Sequence, residues 1–187
     1  ILAALTCGVL LLPLLLILIV LIRLDSPGRA VFTQKRVGRG KRTFLLYKFR
    51  TMRIDTPHDV PTHLLADPQR YITRAGRFLR KTSLDELPQL WNVLIGDMSF
   101  VGPRPALWNQ FDLVAERDRY PGRGGRTPND VRPGLTGWAQ VNGRDELEIH
   151  EKARLDGEYV KNMSLIFDLV CALRTLRTVA RAEGVRE

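Results

Sequence analysis

The 187-residue chain has few of the residues that staple or metallate a fold: two cysteines and three histidines. Cys7 and Cys171 lie far apart in apolar stretches and form no CxxC pair. That excludes a disulfide scaffold or a zinc site and suits a reducing, cytosolic environment. No period recurs, so a repeat or collagen-like chain is excluded as well. The most telling absence is of charge. Residues 1–22, ILAALTCGVLLLPLLLILIVLI, contain no Asp, Glu, Lys or Arg. The excess of 29 basic over 20 acidic residues therefore lies wholly downstream, and unevenly. Residues 23–81 hold 15 basic and 4 acidic side chains, whereas those after Lys81 hold 14 and 16. An ordinary soluble enzyme does not segregate charge in this way. With 44% hydrophobic and 26% charged residues, the chain is globular rather than disordered, and its length is that of one domain.

As a straight helix the apolar run would reach about 33 Å, enough to cross a hydrocarbon core. Arg23 follows it directly with no small-residue cleavage site, which argues against a signal peptide. Pro13 lies mid-run, and a proline there removes a backbone donor and kinks the helix. Two geometries remain open. One is a kinked spanning helix. The other is a pair of arms of about 12 and 9 residues, too short to span, that enter and leave on one side. The chain opens on Ile1 rather than Met, so its natural start is expected upstream.

Residues 23–53 carry ten basic side chains and a single acid, Asp25. Residues 30–34 and 43–52 read as strands joined by the turn Val37-Gly38-Arg39-Gly40-Lys41, with Leu45, Tyr47 and Phe49 sharing a face. Residues 70–80, RYITRAGRFLR, read as a basic amphipathic helix, with Arg70, Arg74, Arg77 and Lys81 on one side. Such a helix beside a membrane segment suits anionic headgroups. A merely solvated basic face is the bland alternative. Nucleic acid is not the expected partner, because the apolar run already brings the chain to a negatively charged surface.

The most informative segment is TSLDELPQLWNVLIGDMSFVGPRP, residues 82–105. Leu87, Leu90, Trp91 and Leu94 recur with helical spacing, so the Asp85-Glu86 pair stands at a helix start. Ser83 with Glu86 matches a capping box, a purely structural use of the glutamate. Pro88 favours a start nearer Asp85, since proline is tolerated only within the first turn. A helix N-terminus keeps an Asp ionised and also receives phosphate. A carboxylate attacking a phosphate faces like-charge repulsion, so Mg²⁺ is expected, with Asp85 as a ligand. A glycosidase is a poor fit, because its two carboxyl groups must face each other across a bond. In Gly102-Pro103-Arg104-Pro105, two prolines stiffen the backbone around an arginine suited to an oxyanion, and Val131-Arg132-Pro133-Gly134 repeats the device. Residues 134–144, GLTGWAQVNGR, include an exposed-looking Trp138, and they could cradle a diphosphate or form a hairpin turning at Asn142-Gly143. Arg80, Arg104, Arg132, Gln140 and Arg144 are the expected substrate or phosphate contacts. His58, His63 and His150 are assigned no role.

Taken in order, these blocks closely resemble the bacterial sugar transferases, the small monotopic polyprenol-phosphate phosphoglycosyl transferases. The blocks are the proline-broken apolar segment, FTQKRVGRGKRTFLLYKFRTM, RKTSLDELPQLWNVLIGDMSFVGPRP, DVRPGLTGWAQVNGR and YVKNMSLIFDL. The resemblance implies transfer of a sugar-1-phosphate from a UDP-sugar to undecaprenyl phosphate with release of UMP, the first membrane step of glycan assembly. It implies Mg²⁺, a covalent phosphosugar on Asp85 assisted by Glu86, and phosphate contacts from Arg104 and Arg132. It also implies a re-entrant helix-break-helix over residues 1–22, on the cytoplasmic face of the bacterial inner membrane. The break here is Leu12-Pro13, where the family often has Ser-Pro, and the basic motif expected before the apolar segment is absent.

The expected fold is α/β and helix-rich, with a small β-sheet or hairpin and the N-terminal re-entrant element. Residues 23–187 would form the catalytic domain on an anionic phospholipid bilayer. Residues 117–129 read as a surface loop, and residues 147–161 and 164–182 as helices. The last helix would present Ile166, Leu169, Val170, Leu173 and Leu176 on one face and Arg174, Arg177 and Arg181 on another. Asp168 is expected to pair with an arginine. The rival function is a non-catalytic, membrane-anchored basic adaptor that binds anionic lipid or a partner.

Overall fold

The computed structural model describes residues 2–57, 67–143 and 147–180. Arg144, Arg181, His58 and His63 lie outside the described residues. Among the described residues the chain is helix-rich with two small sheets. The apolar run forms α1 (Leu2–Asp25), a single helix with Pro13 inside it and no interruption between two arms. A helix survives one internal proline at the cost of a hydrogen bond and a kink. Both ends of α1 meet the same body. Ala4 packs in the cluster of Leu46, Val93 and Met98, while Leu18 and Ile22 pack with Ala30, Phe49 and Leu79. The outer face of α1, including Val9, Leu10, Leu12, Leu16, Ile17, Val20 and Leu24, is exposed.

The expected hairpin forms as β1 (Val31–Val37) and β2 (Thr43–Phe49), antiparallel, with Val31 opposite Phe49. Its turn is a 3-10 piece at Arg39–Lys41 with Gly40 in the left-handed region. One face carries Phe32, Gln34 and Arg36 opposite Lys48, Leu46 and Phe44. The outer edge of β2 is closed by one side chain. Asn92 is fully buried, accepts from the Tyr47 N–H at 3.1 Å and donates to the Leu45 carbonyl at 2.7 Å, as a paired strand would. Asn92→Ala would leave both backbone groups buried and unpaired. A loss of about 2–3 kcal/mol in chemical unfolding is expected, whereas an unchanged midpoint would contradict this role.

The basic helix is split in two. Residues Pro68–Tyr71 form a short α2, and Thr73 then caps α3 (Arg74–Thr82) by accepting from the Gly76 N–H. Arg70 is therefore not on the face of Arg74, Arg77 and Lys81. Asp25 at the end of α1 accepts from the Ala75 N–H at 2.9 Å and so ties α1 to the first turn of α3. Helix α4 (Gln89–Ile95) leads to β3 (Ser99–Val101), which pairs in parallel with β4 (Gly134–Thr136). Between them runs α5 (Phe111–Arg117), and after them come α6 (Trp138–Val141), α7 (Ile149–Asn162) and α8 (Leu165–Ala180).

Several local expectations are corrected. Residues 138–141 are helical, so no hairpin turns at Asn142-Gly143. Trp138 is half-buried against Phe167, 4.8 Å between ring centroids, with the Arg174 guanidinium 4.6 Å above its ring. Arg174 is thus occupied by an aromatic face. Asp168 accepts from the Tyr159 hydroxyl at 2.8 Å rather than from an arginine, because the buried phenol sits directly under α8. Arg117, expected in a surface loop, ends α5 and is buried. On α8, Leu165, Ile166, Leu169, Leu173 and Leu176 are exposed, a second apolar surface that, like that of α1, is not covered by the core.

Candidate active site

The carboxylate pair lies on a tight 3-10 turn, Leu84–Glu86, directly after α3. Ser83, with φ 56°, is the left-handed residue that ends α3 and reverses the chain. Pro88 explains why the turn is not α-helical. It has no N–H for the Leu84 carbonyl, which is instead taken by the Leu87 N–H at 3.3 Å, and regular helix begins only at Gln89. Two sequence expectations are thereby corrected. Ser83, not Asp85, stands at the start of the turn, and its side chain forms no capping bond. Glu86 does not complete a capping box but accepts from Arg104 Nη2 at 3.0 Å.

Asp85 is half-buried, and no hydrogen bond to its carboxylate occurs among the described residues. Burial is the main cause that pushes its carboxyl up to about 6, and the adjacent Glu86 adds like-charge repulsion. Lys48, Arg80 and Arg104 oppose that rise and keep the carboxylate accessible near neutral pH. Arg80 comes from the last turn of α3 and is braced by the Thr51 hydroxyl at 2.9 Å. Arg104 comes from the proline-flanked loop after β3. Lys48 comes from β2, with its ammonium 5.7 Å from the Phe32 ring centroid. Burial and then the neighbouring Arg36 push Lys48 down to about 8. Sequence reasoning missed Lys48. The signal was present, because it follows Phe44 and Leu46 in the inward register of β2, and a charge on a buried face calls for a reason.

The second proline-flanked arginine is a neighbour by backbone. Gly102 N–H donates to the Thr136 carbonyl at 2.9 Å and Gly134 N–H to the Pro103 carbonyl at 2.9 Å, so the loops bearing Arg104 and Arg132 run side by side. The Arg132 side chain is exposed. Gln140 on α6 ties back to β4, donating to the Leu135 carbonyl at 3.1 Å, while its buried Oε1 has no hydrogen-bond partner among the described residues. The structure thus gathers Asp85, Glu86, Arg80 and Arg104 around one point and adds Lys48. Arg132 stands on the adjoining loop, before β4, and Gln140 on α6 after it.

No three His, Cys, Asp or Glu side chains among the described residues converge as a metal cage. The site instead offers one unengaged carboxylate beside a second, the sparse donor set with which Mg²⁺ is held when phosphate oxygens and water complete its shell. Chemically, a carboxylate lodged among cations is arranged to meet a phosphate anion, with the cations absorbing its charge.

A family model described as bacterial sugar transferase matches residues 1–182. The uncharacterized sugar transferase EpsL of Bacillus subtilis is 42% identical over 173 residues, 92% of this chain and 81% of that relative. The UDP-N-acetylgalactosamine-undecaprenyl-phosphate N-acetylgalactosaminephosphotransferase of Aeromonas hydrophila is 41% identical, over 93% of this chain and 41% of its own length. The UDP-glucose:undecaprenyl-phosphate glucose-1-phosphate transferase of Escherichia coli is 39% identical, over 88% of this chain and 35% of its own length. The chain thus spans most of the first relative and well under half of the other two.

Proposed function

The chain belongs to the bacterial sugar transferase family, and from that premise we propose that it transfers a sugar-1-phosphate from a UDP-sugar to undecaprenyl phosphate and releases UMP. The observation that carries this reading is the Asp85 carboxylate, half-buried, unengaged by hydrogen bonds among the described residues and faced by Lys48, Arg80 and Arg104. In the first step an Asp85 oxygen forms a bond to the phosphorus that bears the sugar, and the bond from that phosphorus to the bridging oxygen breaks. UMP leaves with the electron pair, and an acyl phosphosugar remains on Asp85. In the second step an oxygen of undecaprenyl phosphate attacks the same phosphorus and Asp85 departs as the carboxylate. The split suits substrates that arrive separately, one from water and one from lipid. Arg80 and Arg104 neutralise phosphate charge, and Glu86 holds Arg104 beside the nucleophile. Mg²⁺, held by Asp85 with Glu86 at hand, would supply further charge neutralisation.

The membrane reading has its own support. A helix crossing a bilayer would place one end about 30 Å from the other side's protein, but both ends of α1 pack on one body. We take α1 as a monotopic, re-entrant element that bends at Pro13 in lipid, on the cytoplasmic face of the bacterial inner membrane. Its exposed apolar face and that of α8 would enter the bilayer, with Arg74, Arg77 and Lys81 at anionic headgroups. In a Cys7→Ser, Cys171→Ser background, single cysteines placed before the apolar run and at Ser26 after it are expected to react with an impermeant reagent from the same side. Labelling from opposite sides would overturn the monotopic geometry.

The deciding assay is UMP release from a panel of UDP-sugars with undecaprenyl phosphate and Mg²⁺. At least one sugar is expected to give lipid-dependent UMP. Salt-sensitive liposome binding without turnover on any sugar would favour the adaptor reading.

A further inference from the structure

We propose that the buried Arg117–Asp156 ion pair is a positioning device for Arg104, which it holds through that residue's main-chain carbonyl. The inference rests on the phosphate-handling role given to Arg104 above. Arg117 at the end of α5 and Asp156 on α7 have side chains only 5% and 2% exposed. Nε and Nη2 of Arg117 donate to the same Asp156 oxygen at 2.9 and 2.6 Å, and Nη2 also donates to the Arg104 carbonyl at 2.8 Å. At its other end Arg104 donates to Glu86, next to Asp85.

Stability is a poor explanation for such a pair. Desolvating two charges offsets most of their attraction, and apolar residues of similar volume often replace buried pairs without loss. What an apolar pair cannot do is donate a hydrogen bond to the Arg104 loop. That loop has an unusual need for donors. Pro103 and Pro105 have no N–H, so half the donors of the stretch are missing and its carbonyls become the main handles by which it is gripped. Each carbonyl is taken in turn: Pro103 by the Gly134 N–H at 2.9 Å, Arg104 by Arg117 at 2.8 Å, Pro105 by Arg36 Nη1 at 3.0 Å and Ala106 by the Val37 N–H at 2.9 Å. Three of the four grips fix the flanks. The grip on Arg104 itself comes from Arg117, and Asp156 fixes the fork that makes it. The Arg104 side chain is 45% exposed, so its aim depends on the backbone beneath it. A displacement of about 1 Å at a phosphate-handling group costs on the order of 100-fold in rate.

The test uses the full chain reconstituted with undecaprenyl phosphate. Wild-type UMP release establishes the reaction, and its failure would sink the proposed function and not this inference alone. In an active wild type, the paired replacement Arg117→Met with Asp156→Leu is expected to keep a melting temperature close to that of the parent. It is expected to lose roughly 10- to 100-fold in kcat/KM for the UDP-sugar. The same replacement in an Arg104→Ala background is expected to cost no further activity, whereas a merely structural pair would cost the same factor in both backgrounds. Equal losses in the two backgrounds, or wild-type kcat/KM in the folded paired variant, would overturn the inference. Should the paired variant not fold, Arg117→Lys answers the same question. Its single ammonium keeps charge opposite Asp156 but lacks the fork, so the same loss and the same dependence on Arg104 are expected.

Discussion

Asp85→Asn is expected to lower formation of the lipid-linked product by at least about four orders of magnitude, in a protein no less stable than its parent at neutral pH. Asparagine keeps the shape of the side chain and removes the oxygen anion that would attack phosphorus. The loss should appear in the first half-reaction. Wild-type protein given a UDP-sugar without lipid acceptor should carry a phosphosugar on the peptide containing Asp85, detectable by mass spectrometry, and the variant should carry none. Strictly ternary-complex kinetics in the wild type would contradict the covalent step. Stability should move the other way. Burial and Glu86 raise the folded carboxyl from 3.8 to about 6. Between those values the folded state binds more proton than the unfolded one, so the contribution of Asp85 to stability falls as pH rises. Its full cost is present above about pH 6 and absent below 3.8. The Asn variant avoids that cost, so its melting temperature should exceed the parent's at pH 8 and the gap should close towards pH 4, both measured without divalent cation. A parent more stable than the variant at pH 8 would show that Asp85 is a structural anchor rather than an acid held at a cost for chemistry.

Such a trade is legible in sequence only where the pattern is local. The uncharged run of residues 1–22 had one reading as a helix, and the Gly-rich basic turn between two β-rich stretches had one as a hairpin. The acid pair stood out just before a helical repeat, but its neighbours alone left a capping role open, and its reading as the reacting group came from the family resemblance. Lys48 was legible in the alternation of β2, whereas Asn92 and Arg117 were hidden because their roles are set across long separations. Asn92 acts as a strand edge for residues 45 and 47 positions away along the chain, and no periodicity encodes that. Arg117 stood at the edge of a Gly/Pro-rich stretch that reads as surface, and only the packing of α5 on α7 buries it against Asp156. Pro88 does constrain the segment, but with a different consequence from the one the sequence suggests. It did not move the helix start to Asp85; it tightened the preceding turn to 3-10 and left Ser83 to reverse the chain.

Gly134→Ala is expected to destabilise the protein by about 3 kcal/mol or more, because an added methyl has no direction in which to relax. A Cβ at this position would overlap the Gly102 backbone N and the Thr136 carbonyl, two atoms that hydrogen-bond to each other at 2.9 Å. It would lie 2.6 Å from the Val101 carbonyl carbon as well. These are main-chain atoms of β3 and β4 and not the tips of flexible side chains. The strands must therefore part, and the loops bearing Arg104 and Arg132 part with them. A fall of roughly 6–12 °C in melting temperature should accompany a fall in kcat/KM. Gly124→Ala separates this cause from backbone conformation. Gly124 has a left-handed φ of +67° and nothing within 4 Å of an added Cβ, so it should cost only about 1 kcal/mol, from the φ alone. Gly134 carries no such φ, and its whole penalty is contact. Equal losses at the two positions would mean that the parallel pair tolerates separation. The side-by-side placement of the two arginine loops would then have no hold on the site.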